Sequence, residues 1–263
     1  MLSTKSIFKE IRANEAAFRL LLSIAAKGET QGGWENERIA ALTEDQELAR
    51  KVLRHGADET KHGLMFSKLL RKAGLDSVLV PTDADYCMLL ERKGMGLSHT
   101  RLRQNHALTP DEFLQYLVHS KITEERASDE VNRLLAVFAD DNELASTLRI
   151  IADDEINHLS YTHEELLKLS DSGVAQRENI AQMLRIYADT EIQVYRDVSL
   201  VFVTRMARLL GWSKTKQWLL RLGVMFIYHY EKTIGWRRLA TLHQPERINA
   251  MGNDTAAAQT VLE

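Results

Sequence analysis

One arrangement occurs twice in this chain and limits what it can fold into. Glu29 is followed by Asp58-Glu59-Thr60-Lys61-His62, and Glu125 by Asp154-Glu155-Ile156-Asn157-His158. Each residue of the second set lies 96 positions after its counterpart in the first. Four carboxylates and two imidazoles form the ligand set of a two-metal site inside a helical bundle. The spacing therefore predicts four long helices with the site between them.

The second predicted helix, over 45–73, carries the strongest local signal. Its stripe is Leu48, Val52, His55, Glu59, His62, Phe66 and Leu69, in alternating steps of four and three. That is the pattern of a helix burying one seam. Three polar side chains on a buried seam would cost several kcal/mol without partners. A metal ion offsets this by taking a carboxylate and an imidazole directly. The fourth helix, over 142–169, repeats the pattern with Leu144, Leu148, Ile151, Glu155 and His158.

The first helix is expected over 5–42, with Phe18, Leu22, Ala25 and Glu29 on one stripe. Gly28, Gly32 and Gly33 weaken its middle, each by about 1 kcal/mol relative to Ala. They imply either room for a small molecule beside the metal or close packing against a neighbouring helix. A turn follows at 43–45, with Thr43 as the expected cap of the second helix. Residues 74–110, with Gly74, Pro81, Gly94, Gly96 and Pro110, read as a long crossover holding one short helix over Ala84–Arg92. Pro110 opens the third helix with Thr109 as cap and Asp111-Glu112 at its positive end. Leu114, Val118, Glu125, Ser128 and Asn132 form its expected inner face up to about Phe138.

The halves align as copies: Asp45-Gln46-Glu47-Leu48-Ala49 falls without gaps on Asp141-Asn142-Glu143-Leu144-Ala145. Residues equidistant from the turn of a hairpin sit level with each other. The midpoint of 29 and 59 is 44, and that of 125 and 155 is 140; both fall in the expected turns. Glu124 is a rival ligand, and the 96-residue offset favours Glu125.

The pattern Glu…Glu-x-x-His…Glu…Glu-x-x-His resembles the ferritin-like di-iron carboxylate superfamily over about residues 5–169. The resemblance implies an all-α, ferritin-like four-helix bundle with a long crossover, extended here by two C-terminal helices. It implies that Glu29 and Glu125 are terminal or bridging ligands, that Glu59 and Glu155 bridge, and that His62 and His158 each bind one iron. Asp58 and Asp154 give the form Asp-Glu-x-x-His, similar to the oxygen-activating members, where this Asp partners a ligating His. A carboxylate accepting the free imidazole N–H fixes its tautomer and raises its basicity; the alternative is a solvated helix Asp. Oxygen-rich ligation with imidazoles suits iron or manganese. Two irons are the expectation, and a mixed manganese–iron centre also fits.

The remaining composition narrows the function classes. Cys87 is the single cysteine, which excludes a four-cysteine rubredoxin module and fits a reducing, cytoplasmic setting. No run of eighteen apolar residues is present, so no transmembrane span is expected. The net charge of −3 points to no particular partner, and no nucleic acid is expected. Residues 1–170 are expected to form the bundle, 171–247 a helical extension packed on it (helices over 174–211 and 213–241), and 248–263 a disordered tail. The stretch 201–247 holds nine Lys/Arg against two Asp/Glu, which suits an acidic substrate, an anionic membrane surface, an acidic partner or simply a solvated face.

Further candidates are His55 as a core or substrate-facing histidine, Glu191 and His229 as extra ligands, Tyr161 and Tyr195 as redox relays, and Lys121 as a cavity-lining or snorkelling lysine. The expected function is a non-haem di-iron oxidase or oxygenase. It would use O2 as co-substrate, a small organic substrate and an external electron donor, and a homodimer is compatible. The alternative is a ferroxidase or peroxide-scavenging protein resembling ferritin or rubrerythrin.

Overall fold

The structure, a computed structural model, describes residues 3–243; the tail expected from 248 lies outside them. The described residues are all-α. The elements are α1 (Thr4–Arg12), α2 (Glu15–Leu42), α3 (Gln46–Lys72), α4 (Tyr86–Arg92), α5 (His99–Leu102), α6 (Pro110–Val137), α7 (Asn142–Ser170), α8 (Val174–Leu209), α9 (Lys214–Tyr230) and α10 (Trp236–Ala240). A π-helical turn, Glu231–Gly235, joins α9 to α10. Helices α2 and α3 form one hairpin, α6 and α7 another, and α3 packs on α7. Helix α8 lies against α6, α7 and α4, and carries α9 and α10.

Apolar residues gather at both ends of these four long helices. One cluster holds Val52, Leu117, Ile122, Leu166 and Leu184, and another holds Leu22, Phe66, Val131, Leu148 and Ile151. On these helices Glu29, His55, Glu59, His62, Glu124, Glu155 and His158 lie between the two clusters. The polar layer is thus sandwiched by close-packed hydrocarbon, which keeps water out and makes every unpaired charge expensive.

Several helix ends differ from expectation, each for a local reason. The helix expected over 5–42 breaks at Asn14, whose Oδ1 accepts from the Ala17 N–H at 3.0 Å and starts α2 anew. The break lets α1 fold back, so that Ile11 packs with Ala17, Leu20 and Met206. Asp45, not Thr43, caps α3, accepting from the Glu47 and Leu48 N–H groups. Thr43 ends α2, its hydroxyl donating to the Ile39 carbonyl. Thr109 and Glu112 form the full reciprocal capping box of α6. Within the crossover, α5 appears as an unpredicted turn capped by Ser98. The helix expected over 213–241 is interrupted by the π-helical turn.

The glycines serve both purposes considered above. A Cβ on Gly33 would overlap Thr60 Oγ1 and lie 3.1 Å from the Gly56 carbonyl oxygen. One on Gly56 would lie 3.0 Å from the Gly33 carbonyl oxygen. These two allow α2 and α3 to touch backbone to backbone. Gly28 has no neighbouring atom within 4 Å of such a Cβ and faces a cavity. Gly33→Ala is therefore expected to destabilise the fold by about 1–3 kcal/mol through overpacking. Gly28→Ala is expected to stabilise it by about 1 kcal/mol, the helix-propensity difference. Urea unfolding followed by far-UV circular dichroism distinguishes the two.

Candidate metal centre

Two groups of donor atoms meet in the polar layer. Glu29, Glu59, His62 and Glu155 form one; His55, Glu59, Glu124 and His158 form the other. Within each group the donors lie within 4.8 Å of one another, and Glu59 belongs to both. His62 Nδ1 faces Glu29 Oε2 at 3.2 Å and Glu59 and Glu155 at 4.0 Å. His158 Nδ1 faces Glu124 at 3.4 Å, Glu59 at 3.6 Å and Glu155 at 3.7 Å. Glu59 and Glu155 thus stand between the two imidazoles, Glu29 beside one and Glu124 beside the other.

The chemistry of these donors fits metal cations. His55 Nε2, Glu124 Oε2, Glu155 Oε2 and His158 Nδ1 are buried in this layer without a hydrogen-bond partner. Each such atom costs about 1–3 kcal/mol if left unpaired. The layer's own protons answer only part of that demand. Burial and the neighbouring Glu59 push the Glu29 carboxyl up to about 7, and burial with Glu124 pushes Glu155 well up. Burial would also raise Glu124, but His55 and His158 outweigh it and hold this carboxyl well below its usual range. Burial would lower His62, yet its bonds to Asp154 and Glu29 carry it up to about 9. Cations can replace these shared protons, because ligands bind metal deprotonated.

An outer ring orients the imidazoles. His62 Nε2 lies 3.0 Å from Asp154 Oδ2, and His158 Nε2 lies 3.7 Å from Asp58 Oδ2. Asp154 therefore hydrogen-bonds the histidine of the other half across the α3–α7 contact, while Asp58 faces its counterpart beyond hydrogen-bond range and leaves His158 Nε2 unpartnered. Lys61 Nζ donates to Asp58 Oδ1 at 2.9 Å and to Asp154 Oδ2 at 2.6 Å, tying the two together. With Nε2–H held by Asp154, His62 aims Nδ1 at the carboxylates, where a cation that displaces its proton would be bound; fixing the ring in this way is the usual role of such an outer partner.

Glu125 does not join this centre; Glu124 does. Glu125 points away, toward Arg238 Nη1 at 3.2 Å, Lys121 Nζ at 3.3 Å and His163 Nε2 at 3.8 Å. It also belongs to a third donor group with His163 and His243. Two cations already neutralise it, and they would repel a metal ion there. Buried Lys121 neither lines the cavity nor snorkels. It donates to the Leu239 carbonyl at 2.6 Å and so fixes α10 against α6.

The turn explains the one-residue shift. The connection between α2 and α3 is 43–45, whereas that between α6 and α7 is 138–141. The centre of the longer connection lies midway between residues 124 and 155, not 125 and 155. Asn132, expected on the inner face with Glu125, is exposed, while Val131, seven residues beyond Glu124, is buried. That apolar partner was the available signal.

His55 is part of the centre. Its ring stacks on His158 with centroids 3.9 Å apart, and Nε2 lies 3.3 Å from Glu124. Its Nδ1 is 2.8 Å from the Tyr161 hydroxyl, which lies 2.6 Å from the Tyr116 hydroxyl. Tyr116 in turn donates to Asn36 Oδ1. One proton order satisfies this chain: His55 Nδ1–H to Tyr161, Tyr161 to Tyr116, Tyr116 to Asn36. It turns Nε2 toward Glu124 and Glu59; burial and His158 would lower this imidazole's pKa, but those two carboxylates carry it up. Glu191 lies outside these donor groups; it pairs with Arg126 and accepts from the Tyr86 hydroxyl. Tyr195 donates to Glu130 under the Arg126 guanidinium, and His229 is exposed on α9.

A cavity of about 770 Å³ reaches the centre. Glu29, Glu59, Glu124 and Glu155 line its inner end, with Gly28 and Gly32 beside them. Apolar side chains of α1, α8 and α9, including Phe8, Phe202 and Val224, line much of the rest, and Lys27, Glu35, Asp85, Arg126 and Glu130 add charged groups to the wall.

Metal content tests the shift between neighbouring glutamates. With the two donor groups filled, purified protein is expected to hold two divalent ions per chain. Glu124→Ala is expected to lose at least one of them, while Glu125→Ala keeps both and unfolds more easily. Asp154→Asn is expected to weaken metal affinity by about 10–100-fold, the usual loss on removing such an outer partner. Equilibrium dialysis with elemental analysis reads all three. Compared with known proteins, the chain matches no protein-family model, no curated sequence and no solved structure, so residues and geometry alone carry the assignment.

Proposed function

We propose that this chain is a ferritin-like di-iron carboxylate oxidase or oxygenase that uses O2 to oxidise a small, largely apolar organic molecule. The observation that carries this reading is the cavity ending on the carboxylates of the donor layer. A protein that only oxidises or stores iron needs a path for ions, not an apolar chamber of about 770 Å³. That volume falls within the range of small-molecule sites. The donor set, rich in carboxylates and with imidazoles from His55, His62 and His158, suits iron or manganese over copper or thiophilic metals.

Glu29, Glu59, His62 and Glu155 would hold one iron ion and His55, Glu59, Glu124 and His158 the other; the pair would supply the electrons for O2 reduction, replenished by an external donor. The chain's own residues do the rest. Asp154 and Lys61 hold the His62 ring, and Tyr161 holds His55. Gly28 and Gly32 leave the chamber open where it meets Glu29 and Glu59. His119, half-buried in the chamber wall, offers one polar side chain to orient a substrate. Burial pushes this imidazole's pKa down, so it stays neutral and can accept a hydrogen bond. The apolar clusters on both sides of the layer exclude water.

The test loads the protein anaerobically with Fe(II), adds O2 and follows the optical spectrum with and without apolar candidate substrates. The proposal expects a transient absorption whose decay is accelerated by a substrate that becomes oxidised. Gly28→Phe, which fills the chamber, is expected to abolish the acceleration while metal content is retained. Ferric accumulation that no organic compound alters would sink the proposal in favour of iron oxidation alone.

A further inference from the structure

Helix α9 has no buried residue. Trp218, Leu222, Phe226 and Tyr230 recur every four residues along it, and Ile234 continues the series beyond its end; all five are exposed, Phe226 to 75%. An apolar stripe of this size on a protein surface marks an interaction site. Leu219 and Ile227 add a second observation. Both are exposed, and both line the chamber that ends at Glu29, Glu59, Glu124 and Glu155. The stripe therefore borders an opening of that chamber.

Charge identifies the occupant. Over residues 201–243 there are eight Lys/Arg and one acidic residue, Glu231, and Glu231 is taken by Arg126. Lys216, Arg205, Lys232 and Arg238 are paired with carboxylates. Arg208, Lys214, Arg221 and Arg237 form no ion pair among the described residues; Arg221 donates to Thr204 Oγ1, and Arg237 lies over the Trp236 ring. An apolar face with Trp and Tyr, flanked by cations that no carboxylate neutralises, is the composition of a helix lying in the interface of an anionic membrane. A second copy fits poorly: a two-fold contact places Lys214 and Arg221 against the same basic surface of the partner. No helix among the described residues is long and apolar enough to cross a membrane, so the contact is with one leaflet.

We infer that the chain docks through α9 on an anionic lipid surface and admits a membrane-borne, largely apolar amphiphile past Leu219 and Ile227 into the chamber. The docking half stands on α9 alone. The substrate half rests on the oxidase reading above.

The test is flotation of the full-length, metal-loaded protein with vesicles of phosphatidylcholine alone or in equimolar mixture with phosphatidylglycerol. The protein is expected to float with the mixed vesicles, less with the neutral ones, and to be released by salt. Lys214→Gln with Arg221→Gln is expected to weaken partitioning to mixed vesicles about thirty-fold, as neutralising two cations near an anionic surface predicts. Trp218→Glu with Phe226→Glu is expected to abolish it on both, with circular dichroism and metal content unchanged. Wild-type protein that stays in solution with mixed vesicles overturns the inference. So does a dimer, or a complex with another protein, that forms through this face while vesicles are ignored.

The two halves separate cleanly. Metal-free protein is expected to float as well as loaded protein, so a failed oxidase reading leaves docking intact. An amphiphile presented in mixed vesicles is expected to accelerate the optical decay in wild type and not in Trp218→Glu/Phe226→Glu. A soluble apolar compound is expected to act equally on both; loss of its effect too would show a damaged chamber and overturn the proposed route.

Discussion

Burying several carboxylates and imidazoles in one dry layer is the constraint on which this architecture depends. Glu29, Glu59, Glu124 and Glu155 cannot all be ionised a few ångströms apart in a low-dielectric interior. Two of them are driven to hold protons, and the histidines are driven to take them. The helices must supply enough hydrocarbon packing above and below the layer to keep such a cluster inside. The clusters around Leu117 and Phe66 do that. Lys61 neutralises the Asp58–Asp154 pair that would otherwise split the α3–α7 contact.

The same layer explains why glycine is tolerated in the middle of long helices. Gly33 and Gly56 bring α2 and α3 together closely enough for Glu29 and His62 to meet at 3.2 Å. Gly28 and Gly32 then open the opposite side, where α8 and α9 complete the chamber wall. Tight packing on one side and space on the other come from neighbouring residues one turn apart. The Arg126–Glu191 and Arg126–Glu231 pairs brace the outer helices around that space. A chamber walled by α9, itself with no buried residue, connects the interior to an apolar surface without a long channel.

Much of this was legible in the chain. The seam from Leu48 to Leu69 places Val52, His55, Glu59, His62 and Phe66 inside, and all five are buried. Thr109 and Pro110 open α6 as their chemistry requires. Where the reading failed, a local competitor won. Asn14 bonds the Ala17 N–H and breaks what periodicity presents as one helix. Asp45 outcompetes Thr43 because its carboxylate satisfies two amides at once. A gapless repeat favours Glu125, but the connection is one residue longer in the second half and brings Glu124 to the donor layer. His55 looked like an ordinary core histidine because sequence cannot show that its ring stacks on His158.

The chain by itself determined the helices and the seams, because a 3.6-residue period places i, i+3 and i+4 on one face whatever surrounds them. It also determined that polar groups on those seams need partners. Tertiary structure alone decided which partners they have. Asp154 reaches His62 and Asp58 faces His158 across the hairpins, Lys121 holds the end of α10, and α9 closes a chamber over residues almost two hundred positions earlier. Those contacts join parts of the chain with no fixed spacing between them. They depend on how whole helices dock, and no local period encodes that.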